Sequence, residues 1–458
     1  MVSYKDLHFP NAPYIVVEPP GPNARKLLEL QKELESSAVL YPRSLPLVPS
    51  EAKGATIKDV DGNIFIDFFS GISVLNFGHS NPDILDKTIE QLKKIAHTLD
   101  FPTLAREELV KRLVEIAPGN MNRNAKVLFG GPTGSDAVES AIKLAKYITK
   151  RHTVIAFDGS YHGQTTMALA VTSSKKYKDL YSPLGPEVHF APYPYCYRCP
   201  FKLEYPDCGM RCYTYLEHIV EDPYSGVPKP AAIIIEPIQG EGGIVIPPPG
   251  YLRKVEKLAK QHNIVLIVDE IQAGLGRTGT WFACEHEGVT PDIITMAKSI
   301  GGIGLPLSAI MYRKELDTWT PGGHLGTFRG NVVAMAAGAA AIDFANKTRL
   351  LDHVKKLGEK ALKYLKDFAE TSKYVGEVRG KGLMIGIEIV EDKDTKKPGT
   401  DITKKIQLKC FKKGLIVWKA GRYANVVRLL PPLVLTEELL EKGLEILTDT
   451  IKEVESEI

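Results

Sequence analysis

The pattern of hydrophobic and polar positions changes its period near residue 104. Before that point the clearest pattern lies in residues 55–69, where ATIKDV and IFIDFF flank a DGN turn. Alternating apolar positions around Asp-Gly predict a β-hairpin. One helical pattern, Ala24–Ser36, precedes this hairpin. After residue 104, helical patterns alternate with short apolar runs, which indicates a different kind of domain.

The short runs after residue 104 are apolar on both faces. In chain order, the predicted elements are helix Glu107–Ile116, strand Ala125–Phe129, helix Asp136–Lys150, strand Thr153–Phe157, strand Ala231–Glu236, helix Leu252–His262, strand Ile264–Asp269 and strand Asp292–Met296. Strands without a polar face, separated by helices, are typical of a parallel sheet that helices cover on both sides. The predicted fold class is therefore α/β.

The end of the chain follows a mixed pattern. A helix-rich region, Val332–Thr371, precedes strands, a helix at Thr403–Lys413 and a closing helix from Thr436. We therefore predict a large domain at 70–330 with a mostly parallel sheet. A smaller α+β domain is predicted from both termini, with residues 1–69 contributing part of it and residues 331–458 the rest.

Composition excludes several classes of protein. The chain has 458 residues, of which 44% are hydrophobic and 25% charged, as in an ordinary soluble globular protein. A net charge of +3 from 58 basic and 55 acidic side chains gives no reason to expect nucleic acid or a membrane as a partner. No run approaches the roughly 20 apolar residues of a membrane span, and the polar, proline-rich N-terminus does not resemble a secretory signal. We expect a cytoplasmic enzyme.

Two segments that follow predicted strands suit a flat, phosphorylated ligand. The turn GGPTGSD, which includes Gly134 and Ser135, opens a helix, and a helix N-terminus offers backbone N–H groups to a phosphate. A tight turn that needs glycine for its backbone angles is an equal alternative. Tyr161, in FDGSYHG, could stack on a flat ring, although a tyrosine in the core is the more common case.

Two charged residues follow consecutive apolar strands. Asp269 ends IVLIVD, where a carboxylate is costly unless it is paired, and a helix N-cap is the alternative. Lys298 follows DIITMA, where burial would lower the pKa of its amine as a Schiff base requires, although a single lysine is usually solvated. Pyridoxal-phosphate enzymes need such a lysine, an acid for the ring nitrogen and a phosphate cradle. This combination favours the catalytic interpretation.

With these pieces in place, the chain resembles the class III, fold type I pyridoxal-phosphate aminotransferases. The matching segments include DVDGNIFIDFFSGISVLNFGHSNP, GGPTGSDAVESAIKLAK, FDGSYHGQT, EPIQGEGG, LIVDEIQAGLGRTGTWFACEHEGVTPDIITMAKSIGG, HLGTFRGNVVAMAAG, VRGKGLMIGIE and VVRLLPPL. Other segments, such as PYPYCYRCPF and GGIGLPL, are most similar to the diaminobutyrate aminotransferase branch.

The resemblance implies a role for each matching residue. Lys298 would form the Schiff base and move the proton, Asp269 would pair with the pyridinium nitrogen, and Tyr161 would stack on the ring; these three are the implied catalytic residues. The implied cofactor-binding residues are Gly134, Ser135, Tyr161, His162, Glu236, Asp269, Gln272, Lys298 and Thr327.

The resemblance also implies how substrates bind. Ile72, Glu241 and Arg428 would contact them, with Arg428 holding the α-carboxylate of 2-oxoglutarate or glutamate. Thr327 would reach the phosphate of the other subunit, which implies a homodimer or higher homo-oligomer with shared active sites. Asp100 could meet a distal ammonium group or cap a helix.

The implied reaction moves an amino group from an amine-bearing substrate, such as a diamino or ω-amino acid, to a 2-oxo acid. The identity of the donor stays open. One alternative is an amino-acid racemase or epimerase on the same scaffold, although racemases of this class tend to have Asp where this chain has Glu241. A non-catalytic binding protein is the other alternative, and it would need neither Asp269 nor Lys298.

Four cysteines form a separate cluster in the sequence. Cys196, Cys199, Cys208 and Cys212 follow a C-x2-C-x8-C-x3-C spacing that would suit a tetrahedral zinc site. Class III chemistry needs no metal, so reduced loop cysteines or disulfides are the alternatives. We predict no catalytic metal and keep these four residues as candidates for a structural one.

Overall fold

The computed structural model describes residues 4–185 and 187–458. The chain forms two compact units, one of residues 84–351 and one that combines residues 4–83 with 352–458. The predicted boundary after residue 330 falls inside the first unit, so the helix that follows it belongs with the large sheet. Gly338 of that helix explains why, because a Cβ there would lie 2.2 Å from the backbone oxygen of Ile300. The helix packs directly against the backbone of this unit.

The described α-helices are α1 Pro22–Leu34, α2 Tyr41–Ser44, α3 Ser70–Ser73, α4 Pro82–Lys94, α5 Leu104–Glu115, α6 Gly134–Thr149, α7 Thr166–Val171, α8 Lys175–Lys178, α9 Arg211–Glu221, α10 Tyr251–Gln261, α11 Val332–Thr348, α12 Leu350–Thr371, α13 Thr400–Lys412 and α14 Glu437–Glu457. Side-chain caps account for several helix starts. The Asn331 side chain accepts the N–H groups of Val333 and Ala334, and Thr436 accepts that of Leu439. None of the helices in the described ranges has the length and apolar character that crossing a bilayer requires.

The described strands are β1 Pro49–Lys53, β2 Thr56–Asp59, β3 Ile64–Asp67, β4 Ala125–Phe129, β5 Val154–Phe157, β6 Val188–Ala191, β7 Ala232–Ile235, β8 Val265–Asp269, β9 Ile293–Met296, β10 Ala309–Arg313, β11 Val375–Lys381, β12 Met384–Asp392, β13 Lys397–Pro398, β14 Leu415–Ile416, β15 Trp418–Ala420 and β16 Val426–Leu429. The predicted hairpin is present as β2 and β3, which pair antiparallel.

The unit of residues 84–351 contains a seven-stranded sheet in the order β4-β10-β9-β8-β7-β5-β6. The neighbours β9, β8, β7, β5 and β6 run parallel, and β10 is antiparallel to both β9 and β4. The four central strands β5, β7, β8 and β9 are buried along their whole length, which explains their uninterrupted apolar sequences. The predicted α/β fold with a mostly parallel sheet is confirmed.

The other unit contains two smaller sheets. One has the order β1-β2-β3-β14, in which β14 runs parallel to β3, so the N-terminal hairpin is completed by a strand from the C-terminal part of the chain. The other is antiparallel, with the order β11-β12-β16-β15 and with β13 on β12. Residues from both termini therefore share one unit.

Candidate active site

The candidate site lies at the carboxyl edge of the seven-stranded sheet. Asp269 is the last residue of β8, Glu236 follows β7, and Lys298 follows β9 after one intervening residue. Since β7, β8 and β9 are parallel neighbours, the ends of all three strands meet at one edge. This edge is where open α/β sheets bind their ligands.

Asp269 is held by three donors although it is only 4% exposed. One carboxylate oxygen, Oδ1, accepts the hydroxyl of Thr295 at 2.9 Å and the N–H of Ile271 at 3.0 Å. The other, Oδ2, lies 2.6 Å from Nδ1 of His162. Hydrogen bonds at both oxygens fix the plane of the carboxylate, while Oδ2, which has one donor, can still accept a further one. The predicted Asp269 and His162 are therefore in direct contact.

Lys298 lies three residues beyond Thr295, whose hydroxyl binds Asp269. Its side chain is half-buried, and its backbone adopts a left-handed conformation with φ of +52°. A lysine rarely adopts this conformation, and such strain is concentrated at functional sites. The strained residue starts a short 3₁₀ helix, Lys298–Gly301, so the chain turns sharply at the predicted catalytic lysine.

The N-terminus of α6 forms the predicted cradle. Gly134 is its first residue, and a Cβ at that position would lie 3.0 Å from the Cδ1 of Ile271. The Ser135 hydroxyl accepts the N–H of Gln164 at 3.1 Å, so the loop that follows Tyr161 lies on this helix end. Gly163 has a φ of +133°, and a Cβ there would lie 2.1 Å from the Oγ of Ser135. Glycine is required at Gly163 for both reasons.

Tyr161 is half-buried on the loop that connects β5 to α7. Burial raises the pKa of its phenol, and the nearby charge of Glu241 raises it further, so the neutral hydroxyl is favoured. The ring of Tyr177 meets it edge to face at 5.9 Å. Its neighbour His162 contacts Asp269, which places the Tyr161 loop beside the end of β8.

Glu241 and Gln272 are also brought together. The Gln272 side-chain amide donates to Oε1 of Glu241 at 3.3 Å. A Cβ at Gly240 would lie 2.1 Å from the Oε1 of Gln272, so the Gln272 side chain packs directly against the backbone of Gly240. The predicted residues Tyr161, His162, Glu236, Glu241, Asp269 and Gln272 therefore belong to one connected group.

The residues at this edge fit the cofactor that the resemblance implies. Asp269 is a buried carboxylate whose donors are a hydroxyl, a backbone N–H and an imidazole, so a protonated ring nitrogen is a suitable further partner. The first turn of α6 supplies N–H groups for a phosphate. Lys298 supplies an amine just beyond β9, the strand next to the one that Asp269 ends. Pyridoxal 5'-phosphate requires these three features.

Thr327 is exposed. With Leu99, Asp100 and Phe101 it lines an open cavity of about 610 Å³. Asp100 forms ion pairs with Arg106 and Arg329, and the cap of α5 is Thr103 instead. Neither of the two roles considered for Asp100 is therefore the one seen in this structure, because its carboxylate is engaged by two arginines.

Ile72 and Arg428 belong to the other compact unit. Ile72 lies in a turn in which Ser70, Gly71, Ile72 and Ser73 all have positive φ. The turn is held by Asp67, whose Oδ1 accepts the N–H groups of Phe69 and Ser70 at 2.7 and 2.9 Å. Arg428 lies inside β16 and has no exposed surface.

The four clustered cysteines line one small cavity of about 20 Å³ in the segment before α9. All four are unbridged. Burial raises the pKa of the Cys212 thiol to about 11, and the thiols of Cys196 and Cys208 contribute to that shift. Within the described ranges, no group of three or more His, Cys, Asp or Glu side chains has an arrangement that could hold a metal ion. A structural metal here therefore has no support from the geometry.

Thr295 is the functional candidate that the sequence reasoning missed. It is fully buried inside β9, faces Asp269 in the register of β8 and β9, and donates to its carboxylate. The available signal was a single polar residue within the apolar run DIITMA. Residues after strands were considered as site candidates, whereas Thr295 lies inside one.

The similarities to known proteins extend over most of the chain. A family model described as aminotransferase class-III matches residues 39–451. A diaminobutyrate–2-oxoglutarate aminotransferase of Rhizobium meliloti is 39% identical over 424 residues, covering 91% of this chain and 90% of that protein. A leucine/methionine racemase of Thermococcus litoralis is 42% identical over 427 residues, covering 92% and 93%. The solved ornithine aminotransferase of Toxoplasma gondii matches with a TM-score of 0.81 and 29% identity, covering 95% of each chain.

Proposed function

Because the chain belongs to the class III aminotransferase family, whose members depend on pyridoxal 5'-phosphate, we propose that it transfers the distal amino group of a diamino or ω-amino acid to 2-oxoglutarate. One observation carries the proposal. Asp269 and the strand that leads into Lys298 are joined by the hydroxyl of Thr295, so acid and amine occupy neighbouring strand ends. The name of the Rhizobium meliloti relative supports the choice of substrates.

The cofactor, when bound, supplies an aldehyde that accepts amino groups and a ring that withdraws electrons from the reacting carbon. The protein supplies the proton transfers. The amine of Lys298 would take the proton from the substrate carbon and deliver it to the carbon that was the cofactor's aldehyde, acting first as base and then as acid. Asp269 holds a proton at the ring nitrogen, because a buried carboxylate favours a cationic partner.

The remaining residues orient the reacting groups. The first turn of α6, with Gly134 and Ser135, would hold the phosphate, and Tyr161 would restrict the ring to one plane. Gln272 would act near the ring oxygen while it donates to Glu241. Glu241 and Arg428 would act on the two substrates, with Arg428 binding the carboxylate of 2-oxoglutarate through its planar guanidinium group.

Racemisation is a second candidate because of a specific observation. The Thermococcus litoralis relative, at 42% identity, is named a leucine/methionine racemase. A racemase would return the proton to the same carbon from the opposite face, which requires a second acid/base group. Glu241 is a candidate for this group, since its carboxylate accepts from Gln272 and its charge acts on Tyr161.

We also propose that two copies of the chain share their active sites. Large apolar side chains are exposed around the cavity that contains Thr327; they are Phe101, Leu104, Leu325 and Phe328. Clusters of this kind mark interaction surfaces. The resemblance assigns Thr327 to the phosphate of the partner subunit, which agrees with its exposed position.

A panel of amine donors offered with 2-oxoglutarate tests the proposed reaction. Glutamate formation should be fastest with diamino or ω-amino acids, and the remaining donor should keep its chirality. The Lys298→Ala variant should lose turnover, while Lys314→Ala, which removes an exposed lysine beyond β10, should retain it. Loss of donor chirality without glutamate would instead support racemisation. Turnover in Lys298→Ala would refute the catalytic assignment.

A further inference from the structure

Two loops of the site are joined by a single buried carboxylate. Glu236 is 6% exposed at the end of β7. Its Oε1 accepts the backbone N–H of Tyr161 at 3.0 Å, and its Oε2 accepts the backbone N–H of Gly240 at 2.9 Å. One loop bears the proposed ring-stacking residue, and the other continues directly into Glu241. The side chain thus joins the loop of Tyr161, 75 positions earlier in the chain, to the loop that begins at Glu236 itself and reaches Gly240 four residues later.

The backbone that carries this carboxylate is itself held in place. The hydroxyl of Tyr193 donates to the backbone oxygen of Glu236 at 3.0 Å and lies 3.3 Å from that of Pro237. Tyr193 is fully buried. Gln239 adds a bond from its side-chain amide to the backbone oxygen of Asp158 at 2.8 Å. Because the Glu236 backbone is anchored, its carboxylate can serve as a fixed point for both loops.

We propose that Glu236 is a positioning residue: each of its carboxylate oxygens fixes one active-site loop, and these two bonds add to the bond between Gln239 and Asp158 that also joins the loops. The inference rests on the proposed function in one respect, namely that Tyr161 and Glu241 serve the cofactor and the substrate. The resemblance implied that Glu236 binds the cofactor, whereas in this structure its carboxylate accepts two backbone N–H groups of the protein. Its effect on the reaction would therefore pass through Tyr161 and Glu241.

Protonation would release part of this arrangement near neutral pH. Burial raises the pKa of Glu236 to about 7; the charge of Asp269 acts in the same direction, while His162 and the two N–H donors oppose it. Tyr193 is the other titratable group that faces Glu236, and burial keeps its phenol neutral. Above pH 7 both oxygens can accept. As pH falls through 7, a proton occupies one oxygen, so the hydrogen bond to one of the two loops weakens.

The chain offers a matched control in Glu270. This carboxylate is 2% exposed, burial raises its pKa to about 7, and it also accepts two backbone N–H groups, from Ala283 at 2.9 Å and Cys284 at 2.8 Å. The segment that it holds carries no predicted site residue. Glu236→Gln and Glu270→Gln are therefore the same chemical change in the same kind of environment, with different loops affected.

Amide hydrogen exchange of the holoenzyme at pH 6 and pH 8, corrected for intrinsic rates, tests the proposal. In the wild type, protection of at least one of the segments 158–164 and 238–243 should fall at least about fivefold at pH 6, because a hydrogen bond to a charged group is weakened. Glu236→Gln should show low protection at both pH values. Glu270→Gln should keep the wild-type response in these segments and lose protection only around 282–285.

The same three proteins should differ in the pH dependence of the donor half-reaction. The acid limb near pH 7 should be present in the wild type and in Glu270→Gln, and absent in Glu236→Gln. A wild type without the exchange response, a Glu236→Gln variant that retains it, or a Glu270→Gln variant that loses it would overturn the inference. Failure of the proposed function would look different, since the exchange response would remain while no amino group was transferred.

Discussion

The two compact units present their candidate site residues in different ways. In the unit of residues 84–351, Glu236, Asp269 and Lys298 follow parallel strands and reach one edge of the sheet. In the other unit, Arg428 lies within an antiparallel strand and Ile72 lies in a turn of left-handed residues. No strand end marks either of these two residues.

The difference follows from strand direction. Carboxyl ends of parallel strands all lie at one edge, so each polar residue after an apolar run is a candidate for the same site. Carboxyl ends of neighbouring antiparallel strands lie at opposite edges of a sheet, so the residues that follow these strands are not brought to one site. Spacing and apolar pattern therefore led to Asp269 and Lys298 directly, whereas Arg428 and Ile72 entered only through resemblance to a family.

We expect the largest loss of activity from a substitution at the carboxyl edge of the seven-stranded sheet, compared with the same kind of substitution at the opposite edge. Asp269→Asn should reduce kcat/KM roughly 10²- to 10³-fold, because a neutral amide leaves the ring nitrogen without its charged partner in a buried site. Asp292→Asn is the control at the opposite edge, where Asp292 accepts the N–H of Leu266 at 2.8 Å. Burial also raises the pKa of Asp292. This control should lower stability and leave kcat/KM near the wild-type value.

Both variants would be measured by steady-state turnover with a saturating donor and by thermal unfolding. Equal losses of kcat/KM for the two variants would contradict the assignment of the active site to the carboxyl edge alone. A normal rate for Asp269→Asn would mean that another acid keeps the ring nitrogen protonated.

Individual strands of the large sheet show how much of the fold could be predicted from the sequence. β4 has the predicted bounds, and β8 and β9 begin one residue later than predicted. For β8 and β9 the reason is that a fully buried strand is an uninterrupted apolar run. β6 was not predicted, since it is an edge strand whose VHFA sequence is only partly buried. β10 was not predicted either, although it is an apolar run; it pairs antiparallel with β9.

The contacts within the site were less accessible to prediction. Glu236 binds the N–H of a residue 75 positions away, and Thr295 binds a residue 26 positions away. Such pairs depend on which strands are neighbours and on their register, and a single sequence contains neither. The residue types of the site were therefore predictable, while the hydrogen bonds that orient them were not.

A smaller and more selective effect is expected in the other unit. Arg428→Ala should slow the half-reaction with 2-oxoglutarate by about 2–5 kcal/mol in activation free energy, since a desolvated contact between charges is lost. The half-reaction with a distal-amine donor should change much less. Arg428→Lys keeps the charge without the planar fork and should give an intermediate loss.

Each half-reaction can be followed through the absorbance of the cofactor. Arg379→Ala is the control, because Arg379 is also buried in this antiparallel sheet and pairs with Glu388 at 2.7 Å. It should reduce stability without favouring one half-reaction over the other. If Arg428→Ala slowed both half-reactions equally, its assignment to the 2-oxoglutarate carboxylate would be wrong, and resemblance alone would have misled in this unit.

The smallest expected effect concerns Thr295. This residue lies within β9, whereas the other candidates at the carboxyl edge of the sheet end or follow a strand. Thr295→Val keeps the shape of a fully buried side chain and removes the donor to Oδ1 of Asp269, leaving the N–H of Ile271 on that oxygen. We expect a loss of about 1–2 kcal/mol in unfolding free energy, and a fall of about three- to tenfold in kcat/KM, because a net hydrogen bond to a carboxylate is of this order.

Thr403→Val is the control. It is matched in burial but removes a hydroxyl that donates to the backbone oxygen of Gly399 at 2.8 Å within the other unit. It should lower the unfolding free energy by a similar amount and leave kcat/KM unchanged. Comparing the loss of kcat/KM with the loss of unfolding free energy in each variant therefore distinguishes a role in orienting Asp269 from a general loss of stability. If the two variants lose activity in proportion to their loss of stability, Thr295 is a packing residue. The functional residues at this edge are then only those that end or follow a strand. If Thr295→Val loses activity beyond its stability cost, the site extends into β9 itself, and polar residues within buried parallel strands become candidates alongside those that follow them.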